Sequence, residues 1–338
     1  MSKEEKKEPV KGQDSLQNPT WQEVLDEGVR VLSQAGIEEA QLDAWYLFSE
    51  SFPIDRVHFL IDRNRPMHRE IFEKGWPLFA ERIEKRASRI PLQHILGSQE
   101  FMGLSFRVNE HVLIPRQDTE TLVEEVLRDC PDRNADILDM CTGSGCIGLS
   151  LAVLGRYRSV TAADVSEDAL RVAAGNAKRL FLIQKDVVRA ESKNFPGLPL
   201  RTELTVWAGK NRENAETRQF RLVRSDLFSE FAAERYDVIV SNPPYIPSGE
   251  VEKLEPEVRE HEPRLALDGS ADGLHFYRIL AEECRKHLKE GGRVYFEIGC
   301  EQASAVTELL AQQGYTKIQV VKDAPGLDRV VKAVWTQH

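Results

Sequence analysis

Two short stretches of this chain carry residue types that could do chemistry together. The first is Gly143-Ser144-Gly145-Cys146-Ile147-Gly148, which follows the apolar run Ile137-Leu-Asp-Met140 and opens a helical pattern. Asp164 ends the next apolar run, Val160-Thr-Ala-Ala-Asp164, about 20 residues beyond the first glycine. Glycines let the backbone approach a ligand closely, a helix N-terminus attracts negative charge, and an acid after the following strand accepts ribose hydroxyls. A nicotinamide dinucleotide and a methyl donor bearing a carboxylate and a ribose need much the same pocket. The loop alone therefore leaves a dehydrogenase and a methyltransferase equally open, with a plain tight turn as the third reading.

The second stretch, Ser241-Asn242-Pro243-Pro244-Tyr245, decides between them. It follows the run Tyr236-Asp-Val-Ile-Val240, so it leaves the sheet at the carboxyl edge, where open α/β folds bind ligands. The two prolines fix φ and remove two backbone donors, leaving carbonyls that only accept. Asn242 adds a side-chain acceptor. Two acceptors at fixed positions suit an –NH2 group, holding its protons and freeing its lone pair for a methyl electrophile. Tyr245 offers a face on which a planar amide or base can stack. Asn-Pro also occurs in ordinary turns, but downstream of a glycine loop the reading is methyl transfer to a planar nitrogen.

Such groups need a rigid frame, and the flanking sequence predicts one. Strand and helix patterns alternate from about residue 116 onward, which implies a parallel sheet covered on both faces. Cys146 to Gly155 reads as a helix, Ser166 as the N-cap of another, and Gly273 to Glu290 as a third, with Tyr277, Leu280, Cys284 and Leu288 on one face and a stop at Gly291-Gly292. A strand over Arg293–Ile298 follows. The chain closes on two extended runs, 317–321 and 329–335, the antiparallel ending usual in methyltransferases of this fold. Phe101-Met-Gly-Leu-Ser-Phe-Arg-Val108 suggests a hairpin linker over 89–115. Before it, residues 18–88 read as a small helical substrate-docking domain, with Trp21, Leu25, Val29 and Leu32 on one stripe, a second helix over 38–52, and Ile71, Leu78, Phe79 and Ile83 on a helix over 66–88. Residues 1–17 are charged and read as a disordered tail, and 182–220 as a surface insertion that could form a small hairpin or a substrate-contacting flap.

Composition narrows the partners. The net charge of -10 argues against direct nucleic-acid binding, since phosphate affinity comes from Lys and Arg. The five cysteines, Cys130, Cys141, Cys146, Cys284 and Cys300, form no C-x-x-C pair, so no zinc site is expected and the thiols read as reduced. Met1-Ser-Lys-Glu-Glu-Lys-Lys-Glu8 is polar, and the longest apolar run, Cys146 to Leu154, is too short to cross a bilayer. The expectation is a cytoplasmic protein with no membrane contact.

From about residue 18 the chain resembles the HemK family, the bacterial release-factor glutamine methyltransferases. The resemblance rests on Gln93-His-Ile-Leu-Gly97, Leu113-Ile-Pro-Arg-Gln-Asp-Thr-Glu120, Ile137-Leu-Asp-Met-Cys-Thr-Gly-Ser-Gly145, Ser225-Asp-Leu-Phe228, Asn242-Pro-Pro-Tyr245, Glu262-Pro-Arg-Leu-Ala-Leu267, Asp272-Gly-Leu-His-Phe-Tyr-Arg278, Glu297-Ile-Gly299 and Asp328-Arg-Val330. It implies S-adenosylmethionine as donor, with Cys141, Thr142, Gly143, Ser144 and Gly145 around its methionine part, Asp164 on the ribose and Asp226 with Leu227 against the adenine. Asn242, which borders the donor, with Pro243, Pro244 and Tyr245 would hold a glutamine amide, and the implied substrate is the Gly-Gly-Gln loop of class-one peptide release factors. Two departures stand out: Cys141 where the family has Gly, and Gln117-Asp118 where it has Pro-Glu.

The expected fold is a seven-stranded doubly wound α/β methyltransferase domain over 116–338 with the helical domain before it. In-line transfer of a sulfonium methyl calls for no nucleophilic Ser or Cys and no metal; orientation and acceptor dipoles suffice. The rival readings are an amino-methyltransferase acting on an adenine or guanine base, one acting on a ribosomal-protein glutamine, and a catalytically silent binding protein. The first would need a flipped base and a basic approach surface.

Overall fold

Short apolar runs bounded by Gly, Asp and Ser become strands once both faces can be covered, and here they line up in one sheet. The computed structural model describes residues 18–183, 187–193, 201–208 and 216–336; the expected tail over 1–17 lies outside the described residues. It divides into two compact units, one of residues through Gly97 with Pro256–His261, the other of Ser98–Glu255 with the chain from Glu262 onward. Among the described residues no helix is long and apolar enough to cross a membrane.

The larger unit opens on a hairpin, β1 (Ser98–Phe101) and β2 (Leu104–Arg107), turned at Met102-Gly103 with both φ positive. Its main sheet contains β3 (Asp136–Met140), β4 (Ser159–Asp164), β5 (Val187–Lys193), β6 (Arg201–Ala208), β7 (Glu216–Arg224), β8 (Tyr236–Ser241), β9 (Leu288–Glu297), β10 (Thr316–Lys322) and β11 (Asp328–Val334). The order is β10-β11-β9-β8-β3-β4-β7-β6-β5. The expected seven strands run from β10 to β7, and the insertion extends that sheet by β6 and β5, both antiparallel to their neighbours. β3, β4, β7, β8 and β9 are parallel, and β11 and β10 return antiparallel. The order reverses between β3 and β8, which opens a crevice at their carboxyl ends.

Packing follows burial. One apolar cluster, including Ile137, Val160, Leu149, Leu170, Phe220 and Val238, fills one face of the sheet. Another, including Leu138, Ile239, Tyr277, Leu280, Cys284 and Phe296, fills the opposite face. The predicted stripe Tyr277, Leu280, Cys284, Leu288 is buried throughout. Its helix, however, stops at His287, and Gly291-Gly292 lies inside β9 and does not form a helix cap. Gly291 has φ +75 and its N–H reaches Trp335 O at 3.0 Å, while Trp335 N–H returns to Gly292 O at 2.8 Å. The glycines thus kink a strand that already pairs at Leu288 with Tyr236.

The smaller unit is helical, with helices Trp21–Gln34, Ala40–Ser49, Arg56–Asp62, Arg69–Ala87 and Leu92–Leu96. Thr20 starts the first with a capping box: its hydroxyl accepts Glu23 N–H at 3.2 Å and Glu23 accepts Thr20 N–H at 2.8 Å. Its core is aromatic, with Trp21, Phe48, Phe52 and Phe79 meeting largely edge-on. The helix Arg69–Ala87 buries Phe72, Trp76, Phe79 and Ile83, whereas Leu78, expected on that stripe, is exposed. The helical unit runs to Gly97, past the expected limit at residue 88, because Leu92, Ile95 and Leu96 pack on its core. The hairpin expected as a linker belongs to the larger unit. Arg86 is buried and doubly paired, to Asp43 at 2.6 Å and to Glu257 at 3.0 Å, which draws Pro256–His261 into this unit.

Candidate active site

The loop after β3 is built from hydrogen bonds that only a few residue types permit. The buried carboxylate of Asp139, on β3, accepts the Thr142 hydroxyl at 2.5 Å and Gly148 N–H at 2.9 Å, pinning both ends of the glycine loop. Burial pushes this acid up to about 7. Gly148 has no space for a Cβ, because Asp139 stands 2.9 Å from where one would sit. Gly145 turns into the helix with φ +81, against Leu149 and Ala173. Gly143, with φ +54, faces open space.

Asp164 closes the loop from the other side. Its Oδ2 accepts Gly143 N–H at 2.8 Å and its Oδ1 accepts Ser166 N–H at 2.9 Å. Burial raises its pKa, partly offset by these N–H groups. Each oxygen keeps a lone pair for a further donor. Ser166 caps the helix Glu167–Ile183 through its hydroxyl, which accepts Ala169 N–H at 3.2 Å.

These elements wall a cavity of about 280 Å³ at the carboxyl edge of the sheet, close to the lower end of ligand pockets at roughly 300 Å³. Cys141, Thr142, Gly143, Ser144, Asp164, Asp226, Leu227, Asn242 and Pro244 line it, so most residues expected on the donor and acceptor sides come together. Gly145, Pro243 and Tyr245 do not line it. Gly145 acts through its backbone turn. Tyr245 is half-buried, its carbonyl accepting Gln302 Nε2 at 3.0 Å, and no Cβ fits at Gly269 or Gly273, where its backbone stands in the way. An acidic ribose acceptor, an open glycine cradle and an adjoining apolar wall fit a donor of nucleoside and amino-acid parts.

Several cavity residues were not legible as site residues from spacing. Arg116, Thr119, Pro263, Leu265, Ala266 and Phe276 complete the wall. Two of these segments are tied by Glu262, which accepts Arg116 Nη2 at 2.7 Å and Ile114 N–H at 3.3 Å. Their only sequence signal was membership of the family-like stretches around 113–120, 262–267 and 272–278.

Cys141 lines the cavity with φ +63, a conformation in which a side chain costs roughly 1–2 kcal/mol. This is why glycine suits the position. Cys141→Gly is expected to stabilise the protein by up to about 1 kcal/mol after glycine's own entropy cost, raising the melting temperature by about 2–4 °C. A lower melting temperature in thermal denaturation would mean that the thiol's contacts outweigh the strain.

A doubly wound sheet reversing beside its first strand, a terminal antiparallel pair, and a glycine loop sharing one cavity with Asn242 and Pro244 define a methyltransferase of the nucleoside-donor class. Residues 23–97 match the PrmC N-terminal domain family. The chain is 36% identical over 312 residues to the release factor glutamine methyltransferase of Geobacter sulfurreducens, covering 92% of this chain and 95% of that protein. It is 35% identical over 304 residues to that of Caulobacter vibrioides, covering 90% and 92%. A crystal structure of the protein-(glutamine-N5) methyltransferase (release factor-specific) from Alicyclobacillus acidocaldarius is similar at 27% identity and TM-score 0.35, over 69% of this chain and 100% of that one. The chain belongs to the release factor glutamine methyltransferase family.

Proposed function

We propose that this chain transfers the methyl group of S-adenosylmethionine to the side-chain nitrogen of the glutamine in the Gly-Gly-Gln loop of class-one peptide release factors. The observation that carries the reading is the meeting of Asn242 and Pro244 with Gly143 and Asp164 around one cavity. The donor supplies an activated methyl on a good leaving group. Asp164 and the glycine loop orient it; Asn242 Oδ1 and one carbonyl of the proline pair each accept an amide proton and hold the nitrogen in line. Phe276, Leu265 and Ala266 give the cavity an apolar wall. A glutamine flanked by glycines extends into a narrow pocket without clashing at the rim. An acidic enzyme also attracts a factor loop that works against ribosomal RNA in basic surroundings.

The helical unit serves as the docking module in this reading. It exposes Leu42, Tyr46, Val57, Leu60 and Ile61, and Leu42, Trp45, Phe59 and Leu60 line a groove on its surface. Gripping a second part of the factor there raises the effective concentration of the loop. Incubation with labelled donor, followed by mass spectrometry, is expected to place the methyl group on the loop glutamine. Leu60→Glu is expected to raise KM for the intact factor roughly tenfold and to leave a short Gly-Gly-Gln peptide unaffected. Label confined to nucleic acid or to a ribosomal protein would sink the substrate assignment, and an equal KM for both proteins would sink the docking role.

A further inference from the structure

Glu297 is a buried acid that the mechanism above does not use. It ends β9, and the pairing of Ser241 with Phe296 sets the next residues, Asn242 and Glu297, side by side at the carboxyl edge. The side chains of Asn242 and Thr119 lie close enough to the Glu297 carboxylate to lower its pKa by hydrogen bonding, and its Oε2 has no other partner among the described residues. Its backbone carbonyl is occupied separately, accepting the Tyr277 hydroxyl at 2.7 Å. We infer that Glu297 is a positioning residue that sets which end of the Asn242 amide faces the substrate, an inference resting on the glutamine-methylating reading above.

An asparagine amide has a donor end and an acceptor end, and only its surroundings decide which points where. An ionised carboxylate can only accept, so it takes an Nδ2 proton from Asn242 and turns Oδ1 toward the cavity. That is the end the two protons of an incoming –NH2 require. A protonated Glu297 would instead offer an O–H to Oδ1, swing the amide, and set Nδ2–H against the substrate's own N–H. Protonation of Glu297 therefore removes the acceptor without moving the backbone.

The charges facing Glu297 make this switch accessible near neutrality. Burial pushes the acid up to about 7; the Thr119 and Asn242 bonds and the Arg329 guanidinium pull it down, and Asp118 pushes it up. Tyr245, Tyr277 and Cys146 also feel its charge, each a neutral neighbour whose ionisation is raised by burial. Because the productive form is ionised, activity is full above this pKa and falls as pH drops through it, by roughly tenfold per unit once well below.

Two measurements test this. In substrate-free protein with 15N-labelled asparagine, the Asn242 Nδ2 proton resonances are expected to shift with an apparent pKa near 7, and Glu297→Gln is expected to abolish that shift. In the methyl-transfer assay, Glu297→Gln is expected to lower kcat at least about tenfold at pH 8 and flatten its slope through neutrality, with donor affinity within about twofold. Thr119→Val, which strips one donor from the carboxylate, is expected to move the kinetic pKa upward. An Asn242 resonance that ignores pH, an unchanged pH profile in Glu297→Gln, or donor affinity falling in parallel with kcat would each overturn the inference. The resonance readout needs no substrate, so a wild type inactive on release factors would defeat the proposed function and leave this test standing.

Discussion

Asn242→Ala is expected to bind the donor within about twofold of wild type and to lose roughly 10²–10³-fold in kcat, the cost of removing one preorganised acceptor from a reacting centre. The substitution is local. Ser241 anchors the end of β8 through its hydroxyl, which donates to Met140 O at 2.7 Å, and Gln302 holds the Tyr245 carbonyl on the far side of the motif. Proline φ restrictions keep the intervening backbone in place. What goes is the side-chain oxygen that aligns the nitrogen, and the carbonyls of the proline pair cannot replace it alone. Single-turnover methylation measured beside calorimetric donor titration separates the two effects. Near-wild-type turnover would remove Asn242 from the mechanism; lost donor binding would make it a donor residue.

How far the sequence reaches can be followed residue by residue. β3, β4 and β8 were legible because each is a short, largely apolar run with a Gly, Asp or Asn at or just beyond its end, and the chemistry sits at those ends. The cap at Ser166 and the stripe on the helix His275–His287 were legible for the same local reason. Gly291-Gly292 misled because a glycine pair signals a helix end and a strand kink alike, and the choice is made by long-range pairing with Trp335. Leu78 was placed on a buried stripe that Phe72 and Trp76 take instead, since neighbouring helices decide which arc of an apolar-rich helix is covered. The helix Arg56–Asp62 was too short for its period to register. In the site, Asp139 escaped notice because its partners, Thr142 and Gly148, become its neighbours only when the loop closes. Glu297, quoted only within a family-like stretch, had no role legible in sequence because its partner follows the neighbouring strand β8, 55 positions away (297 − 242), and is brought beside it by the pairing of Ser241 with Phe296.

Asp164→Ala is expected to weaken donor binding by about 1.5–3 kcal/mol, roughly 10–150-fold in Kd, because the ribose hydroxyls lose a charged acceptor. The structure adds a second consequence. Asp164 also accepts Gly143 N–H at 2.8 Å and Ser166 N–H at 2.9 Å, so its removal frees the glycine loop as well as the ribose contact. Asp164→Asn separates the two, since its single side-chain oxygen can keep one backbone bond while the charge is lost. The intermediate case is expected for that variant: tighter than Ala, weaker than Asp. Burial raises the pKa of Asp164, and the ionised form is the better ribose acceptor. Donor affinity of the wild type therefore falls as pH drops through that raised value, whereas the Ala variant lacks this dependence. Calorimetry across pH, with a thermal melt to exclude unfolding, reads all three. Unchanged affinity in Asp164→Ala would move the donor out of this cavity, and a wild type that bound a nicotinamide dinucleotide in preference to S-adenosylmethionine would restore the dehydrogenase reading of the glycine loop.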